Sequence, residues 1–286
     1  MSALRLVAAD TVAPQVLHAA FGAAFADYLI GPFRLAPDQW PQFLARQGVD
    51  LPRSRAAVSD GEVLAFALAA PRGDGASWRL GAMGALPLAR GTGVARALLD
   101  DFIARAREAG CARVELECFA QNERGVRLYR GRGFEAVAPL YGWRREPGAG
   151  AGDIPQGEAA ASVQEVPLAE AFASIDATSR RRGDLPLQVT PASLREHAMP
   201  LRASRCGAAV LVAGEADAAQ VTVCSLVDEE QDQRGAGRLL QHLLLSFPAH
   251  AIHVPQLQRD DLGGIALQRL GFARLPLHQL LMHKDF

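Results

Sequence analysis

Apolar and polar positions repeat with two periods along this chain, and the places where the period changes mark out its elements. Residues 4–8 alternate as a short strand, a helical period runs over about 13–26, and a second helix opens near Pro37-Asp38 after Gly31-Pro32. Residues 53–59 and 62–70 read as a hairpin around Asp60-Gly61, a dipeptide suited to the positive φ values of a tight turn. A strand over about 78–86 leads into Arg90-Gly91-Thr92-Gly93. Behind that turn Val94, Leu98, Phe102 and Ala106 share one helical face, and Gly110 is placed to end the helix. A strand over 113–119, a short helix over about 123–131 and a strand over 134–143 close the run.

The stretch from Pro147 to Gly157 is too rich in Gly and Pro to form an element. Beyond it the first pattern returns in weaker form. Residues 220–227 read as a strand, Arg234-Gly235-Ala236-Gly237 as a turn into a helix over 238–245, and Gly271-Phe272 as the close of another short helix. Arg90 and Arg234 stand 144 positions apart, and Phe134 and Phe272 stand 138 apart, as a tandem duplication with a small deletion would leave them. The expected organisation is a first domain over 1–145, a Gly/Pro/Ala-rich linker over 146–162 and a second domain over 163–286.

Length and composition agree with two soluble domains: 286 residues, 49% hydrophobic and 21% charged. The net charge of −1 hides an asymmetry. Residues 1–145 carry 18 Arg against 14 acidic residues (+4), and residues 146–286 carry 12 basic against 17 acidic (−5). A mildly basic first half suits a small polyanion and is too weak to suggest nucleic acid. The apolar stretch between Val12 and Ile30 is preceded by Asp10, broken by Pro14, His18 and Asp27, and reads as a helix, so neither a signal peptide nor a membrane partner is expected. Cys111, Cys118, Cys206 and Cys224 form no Cys-x-x-Cys pair and have no histidine at ligand spacing, so no metal is expected. They read as reduced, mostly buried thiols of a cytoplasmic protein, with packing favoured over a nucleophilic role for Cys118.

The candidate chemistry centres on the first glycine turn. A turn that opens a helix with Arg-Gly-Thr-Gly aims unpaired backbone N–H groups and the positive end of the helix dipole at one point, where a diphosphate would fit. Neither Gly-x-Gly-x-x-Gly with a following acid nor Gly-Lys-Ser/Thr is present, which excludes the common dinucleotide and Walker loops. With Glu117, Asn122, Leu128-Tyr129 and Gly133-Phe134 following it, the window 78–143 resembles the GCN5-related N-acetyltransferase (GNAT) family.

The resemblance implies an α/β fold with a mixed (α+β) sheet, in two tandem acyl-CoA N-acyltransferase domains. It further implies that Arg90, Gly91, Thr92, Gly93, Val94 and Ala95 bind the pyrophosphate of acetyl-coenzyme A, and that the preceding strand splays to free backbone groups at Met83 and Ala85 for the pantetheine arm. Asn122 matches a cofactor-contacting position. Glu117 and Tyr129, twelve residues apart, match a general base and a general acid. That pair suits the reaction, because an amine acceptor must lose a proton and a departing thiolate must gain one.

Each assignment has a plainer counterpart. Met83 and Ala85 would pair in a continuous sheet, Glu117 would be a solvated strand carboxylate, Tyr129 a core residue and Asn122 a turn residue. Asp27, Tyr28, Glu115 and Tyr141 remain substitutes for the base. Phe33, Trp40 and Phe43 either wall the acceptor site or pack in the core.

The second repeat has Leu239 where the pattern wants Gly or Ala, Leu267 at the place of Tyr129 and Asp260 at that of Asn122. Asp228, Glu229, Glu230 and Asp232 precede its turn, either opposing a diphosphate or lying in a solvated loop. It is expected to be degenerate. The expected activity is acetyl transfer from acetyl-coenzyme A to a peptide N-terminus, an amino acid or a small-molecule amine. The alternative is a coenzyme A-binding sensor or interaction module of the same fold with little turnover.

Overall fold

Asp60 and Gly61 take φ values of 51° and 82°, and the chain reverses there between β2 (Asp50–Ser59) and β3 (Glu62–Pro71). The computed structural model describes residues 4–73, 75–148 and 162–286, so most of the expected linker, 149–161, lies outside the described residues. Two compact units emerge, Met1–Ala136 with Leu281–Phe286, and Val137–Leu280.

In the first unit β1 (Arg5–Ala8) precedes α1 (Pro14–Ala24) and α2 (Trp40–Arg46). After the hairpin come β4 (Ser77–Ala85), α3 (Val94–Glu108), β5 (Arg113–Phe119) and α4 (Glu123–Arg130). The sheet order begins β1-β2-β3-β4-β5, antiparallel except where the α3 crossover makes β4 and β5 parallel. The α3 face expected to be apolar is buried throughout: Val94, Leu98, Phe102 and Ala106 are each no more than 3% exposed. A separate core joins α1 and α2 to β2 and β3 through Phe21, Trp40 and Phe66, with Phe33 and Phe43 packed against it. Trp40 and Phe43 stack at 5.6 Å, and Phe33 meets Phe43 edge-on at 5.7 Å. Of the two readings for these aromatics, the structure gives packing.

The second unit contains most of β6 (Glu135–Arg145), then β7 (Gln164–Val166), α5 (Leu168–Arg182), α6 (Pro191–Leu194), β8 (Leu201–Cys206) and β9 (Ala209–Asp217). They are followed by β10 (Gln220–Val227), α7 (Arg234–Ser246), β11 (Ala251–Gln258), α8 (Gly264–Arg269) and β12 (Ala273–Asp285). Its sheet runs β12-β6-β11-β10-β9-β8-β7, with β10 and β11 parallel around α7.

Two findings differ from the sequence reading. The strand expected to complete the first repeat pairs instead with β11, with Arg145 opposite Ile252 and Trp143 opposite Val254, and the end of β12 lies beside β5. A parallel strand such as β5 needs a partner for its outer backbone groups, and either closing strand satisfies that need equally. Alternation cannot tell which one does. The second difference is at Arg234-Gly235-Ala236-Gly237, which is the first turn of α7 and not a loop before it.

Candidate active site

The β4–β5 ladder runs from Ser77 opposite Arg113 to Leu80 opposite Leu116 and ends there, although β4 continues to Ala85 and β5 to Phe119. On its other side β4 stays paired with β3 up to Ala85, with a register shift where Gly81 is the extra residue. The Leu86 N–H donates to the Leu64 carbonyl at 2.9 Å, which by alternation turns the backbone of Ala82 and Gly84 toward β3. The backbone groups of Met83 and Ala85 therefore face the gap. Gly84 between them is required by packing, since a Cβ there would lie 2.9 Å from the Ala24 Cβ and 2.8 Å from the Phe66 ring.

A short turn after β4 leads the chain to the glycines at the start of α3. Gly91 and Gly93 have φ of 82° and 92°, conformations that L side chains rarely adopt, and a Cβ on either would meet nothing within 4 Å. Gly93 is the N-cap of α3, and no side chain caps the helix. Because Val94, Ala95 and Arg96 have no carbonyl one turn back, their N–H groups point out of the mouth. The Thr92 hydroxyl is turned away and donates to the Ala89 carbonyl at 2.7 Å. Arg90 does not aim its guanidinium into the mouth: it donates to both Asp27 oxygens at 2.6 and 2.7 Å, to the Ala24 carbonyl and to the Ala85 carbonyl. The pairing with Arg90 holds the Asp27 carboxyl below the usual carboxylate range.

Glu117 is not a solvated strand carboxylate. Its side chain is 2% exposed, and its Oε2 accepts from Arg79 Nε at 2.7 Å. Glu115 is equally buried and accepts from Arg72 Nε at 2.6 Å. Burial raises its pKa more than the neighbouring arginines lower it. Arg79 stands opposite Glu115 in the parallel ladder and pairs with Glu117 two residues on, while Arg72, just past the end of β3, pairs with Glu115. The sequence reading missed Arg79, although its two-residue period with Glu115 and Glu117 across neighbouring strands carries the signal.

Tyr129 lies on α4 with its ring centroid 5.9 Å from that of Phe134. Burial pushes its phenol well above the ordinary value, and nearby Cys118 and Tyr28 add to the shift. Tyr28 is likewise pushed up to about 12 by burial and by Cys118, while a hydrogen bond with the Asn122 side chain acts in the other direction. Asn122 also caps α4, accepting from the Gly125 N–H at 3.0 Å through its Oδ1. One asparagine thus ties the start of the Tyr129 helix to Tyr28, a tyrosine weighed earlier only as a substitute base. Cys118 is buried, and its thiol is pushed up to about 12, which suits packing and not a nucleophile. Tyr141 lies in the second unit, under the Arg274 guanidinium at 3.9 Å from its ring centroid.

The second repeat shows the same strand geometry with its openings filled. The β10–β11 ladder ends at Thr222 opposite His253, and the Gln258 amide donates to the Leu226 carbonyl at 3.2 Å. Asp228, only 1% exposed, accepts from the Ala236 N–H of α7 at 2.8 Å and from the Glu230 N–H at 3.0 Å. Glu229 pairs with Arg181, Asp232 with Arg234, and Asp260 with Arg274.

Residues 17–134 match the acetyltransferase (GNAT) family model. Solved structures similar over the whole chain include a GCN5-related N-acetyltransferase from Kribbella flavida, with TM-score 0.63 and 18% identity, over 99% of this chain and 71% of that one. Another, from Sphaerobacter thermophilus, gives 0.64 and 16% over 99% and 95%. Eis1 from Mycobacterium abscessus gives 0.57 and 14% over 100% and 74%. At these identities the likeness is one of fold. No curated protein matches the chain. The chain is an α/β protein with mixed sheets, and residues 17–134 of its first half match the acetyltransferase (GNAT) family model.

Proposed function

We propose that the first unit transfers an acetyl group from acetyl-coenzyme A directly to a primary amine, on a peptide or a small molecule. The observation that carries this reading is that the β4–β5 ladder ends at Leu80 and Leu116 while both strands run on, in the same unit as a helix α3 whose first turn no side chain caps. When bound, the cosubstrate would supply a thioester carbonyl as electrophile and a thiolate as leaving group. The first-turn amides of α3, with Gly91 and Gly93, would hold its diphosphate. The N–H groups of Met83 and Ala85 face the gap and would oppose charge growing on the carbonyl oxygen, commonly the largest catalytic contribution in acyl transfer.

Glu117, held by Arg79, takes a proton from the incoming ammonium, directly or through a water, so that the amine nitrogen can bond to the carbonyl carbon. As the carbon–sulfur bond breaks, Tyr129 protonates the sulfur and is reprotonated from the new amide nitrogen. One proton is released per acetyl group moved. Asn122 serves this arrangement by capping α4 and holding Tyr28 beside it, which leaves its expected contact with the cofactor open to test. The second unit is the degenerate partner, and four buried free cysteines suit the reducing cytoplasm.

A specific observation favours a second reading, a coenzyme A-binding module. The carboxylate matched to the base already accepts from Arg79, and its side chain is only 2% exposed, shut away from solvent. Thiol release from acetyl-coenzyme A across an amine panel, measured beside calorimetric affinity, separates the two. Tyr129→Phe should lower kcat by about 100-fold or more while leaving cofactor affinity unchanged. Tight binding with no turnover on any amine supports the module.

A further inference from the structure

We propose that the second unit has a binding site of its own for a small apolar amine, in a cavity of about 300 Å³ at the C-terminal end of α7. It is independent of the acetyl-transfer reading. The fold's cofactor mouth is at the N-terminus of this helix, so the cavity is not that mouth in another guise.

The floor follows from the strand period. Leu211 and Ala213 on β9 and Val221 on β10 turn their side chains to the face covered by α7, and Leu243 and Phe247 close over them. Because α7 ends at Ser246, the same sheet face continues past it with polar residues. Ser204 lies opposite Leu211, Arg202 opposite Ala213 and Glu165 opposite Ser204, so these three rim the cavity beside Glu215. The result is an apolar pocket with a charged mouth, the usual construction of a small-molecule site.

The charge at that mouth selects the ligand. Glu165, Arg202 and Glu215 make no ion pair among the described residues, whereas arginines elsewhere in the unit, such as Arg182, Arg205 and Arg259, are paired. The last turn of α7 has no basic residue, so its terminal carbonyls add negative potential near Ser246, with the His242 carbonyl accepting from the Ser246 hydroxyl at 2.9 Å. Two carboxylates and a helix C-terminus against one guanidinium favour an ammonium head on an apolar body.

Tryptamine, tryptophol and indole-3-propionate share one ring system and differ in head-group charge, so their titration into the intact protein tests the proposal. Tryptamine should bind at least about tenfold more tightly than the carboxylate, with amide shift changes at Glu215 and His242. A double Glu165→Gln, Glu215→Gln variant should weaken it by about fivefold, as expected for two exposed charge contacts. Ala213→Trp should abolish binding by filling the floor. If Ala213→Trp fails to fold, the double Gln variant still decides. Binding that ignores head-group charge, that survives both second-unit changes, or that is absent at millimolar tryptamine overturns the proposal.

Discussion

At the mouth of α3 the backbone amides of the first turn point outward from a glycine at φ 92°, with no side chain to receive them. At the mouth of α7 the Ala236 N–H is received by Asp228 and the Arg234 N–H by Asp232, and the residue before the helix, Gln233, is stitched to the Asp260 carbonyl and the Ala266 N–H. Gly235 no longer serves a turn: it sits so close to Ala209 that a Cβ would come within 2.6 Å of that residue's own. Both helices present the same positive end, and in both an anion belongs there. In the second unit the protein supplies that anion from its own chain. A satisfied helix terminus is stable and unreceptive, whereas an open one is a binding site.

The largest test of this contrast places the same charge at both mouths. Gly93→Glu puts a carboxylate where the diphosphate would lie and strains a positive-φ position, and it should weaken acetyl-coenzyme A binding by about 100-fold in calorimetry. Gly237→Glu, at a helical position with open space around it, should change affinity less than about twofold. Equal losses from both would mean that the second mouth also binds the cofactor.

The next effect is on stability. Asp228→Ala leaves the Ala236 and Glu230 amides without their buried acceptor and should cost about 1–2 kcal/mol in urea unfolding of the second unit. An unchanged midpoint would show that the carboxylate does not act as the cap.

Much of this contrast was legible in the chain. The order of elements in the first repeat, the apolar face of α3 and the exact span of β5 follow from period alone, because each buries one regular stripe. The weakness of the second mouth showed in its run of acids, but not which acid does what. Asp228 is buried on the helix, whereas Glu229, Asp232 and Asp260 answer to arginines. That sorting depends on where a short loop turns, which no periodicity records. The pairing of β6 with β11 was hidden for a similar reason, since both closing strands alternate alike and the choice between them is made in three dimensions. Arg79 escaped notice because an arginine inside a strand reads as surface until the glutamate beside it is seen to be buried.

The smallest effect lies in the pH dependence, and it concerns the residue that most separates the repeats: Tyr129 in the first, against Leu267 in the second, which is wholly buried. Burial raises the Tyr129 phenol well above its usual range, with Cys118 and Tyr28 adding to the shift. A raised pKa keeps the proton on as the solution becomes more alkaline, so a step that needs protonated Tyr129 is retained through the ordinary phenol range and lost only above it. An unshielded phenol, with a pKa of about 10, would cost half the rate at that pH. At saturating amine, kcat should therefore change by less than about twofold between pH 8 and pH 10, followed by thiol release while far-UV circular dichroism confirms that the fold persists. A descending limb centred near pH 10 in the wild type, and absent in Tyr129→Phe, would show that the phenol titrates as an exposed tyrosine does.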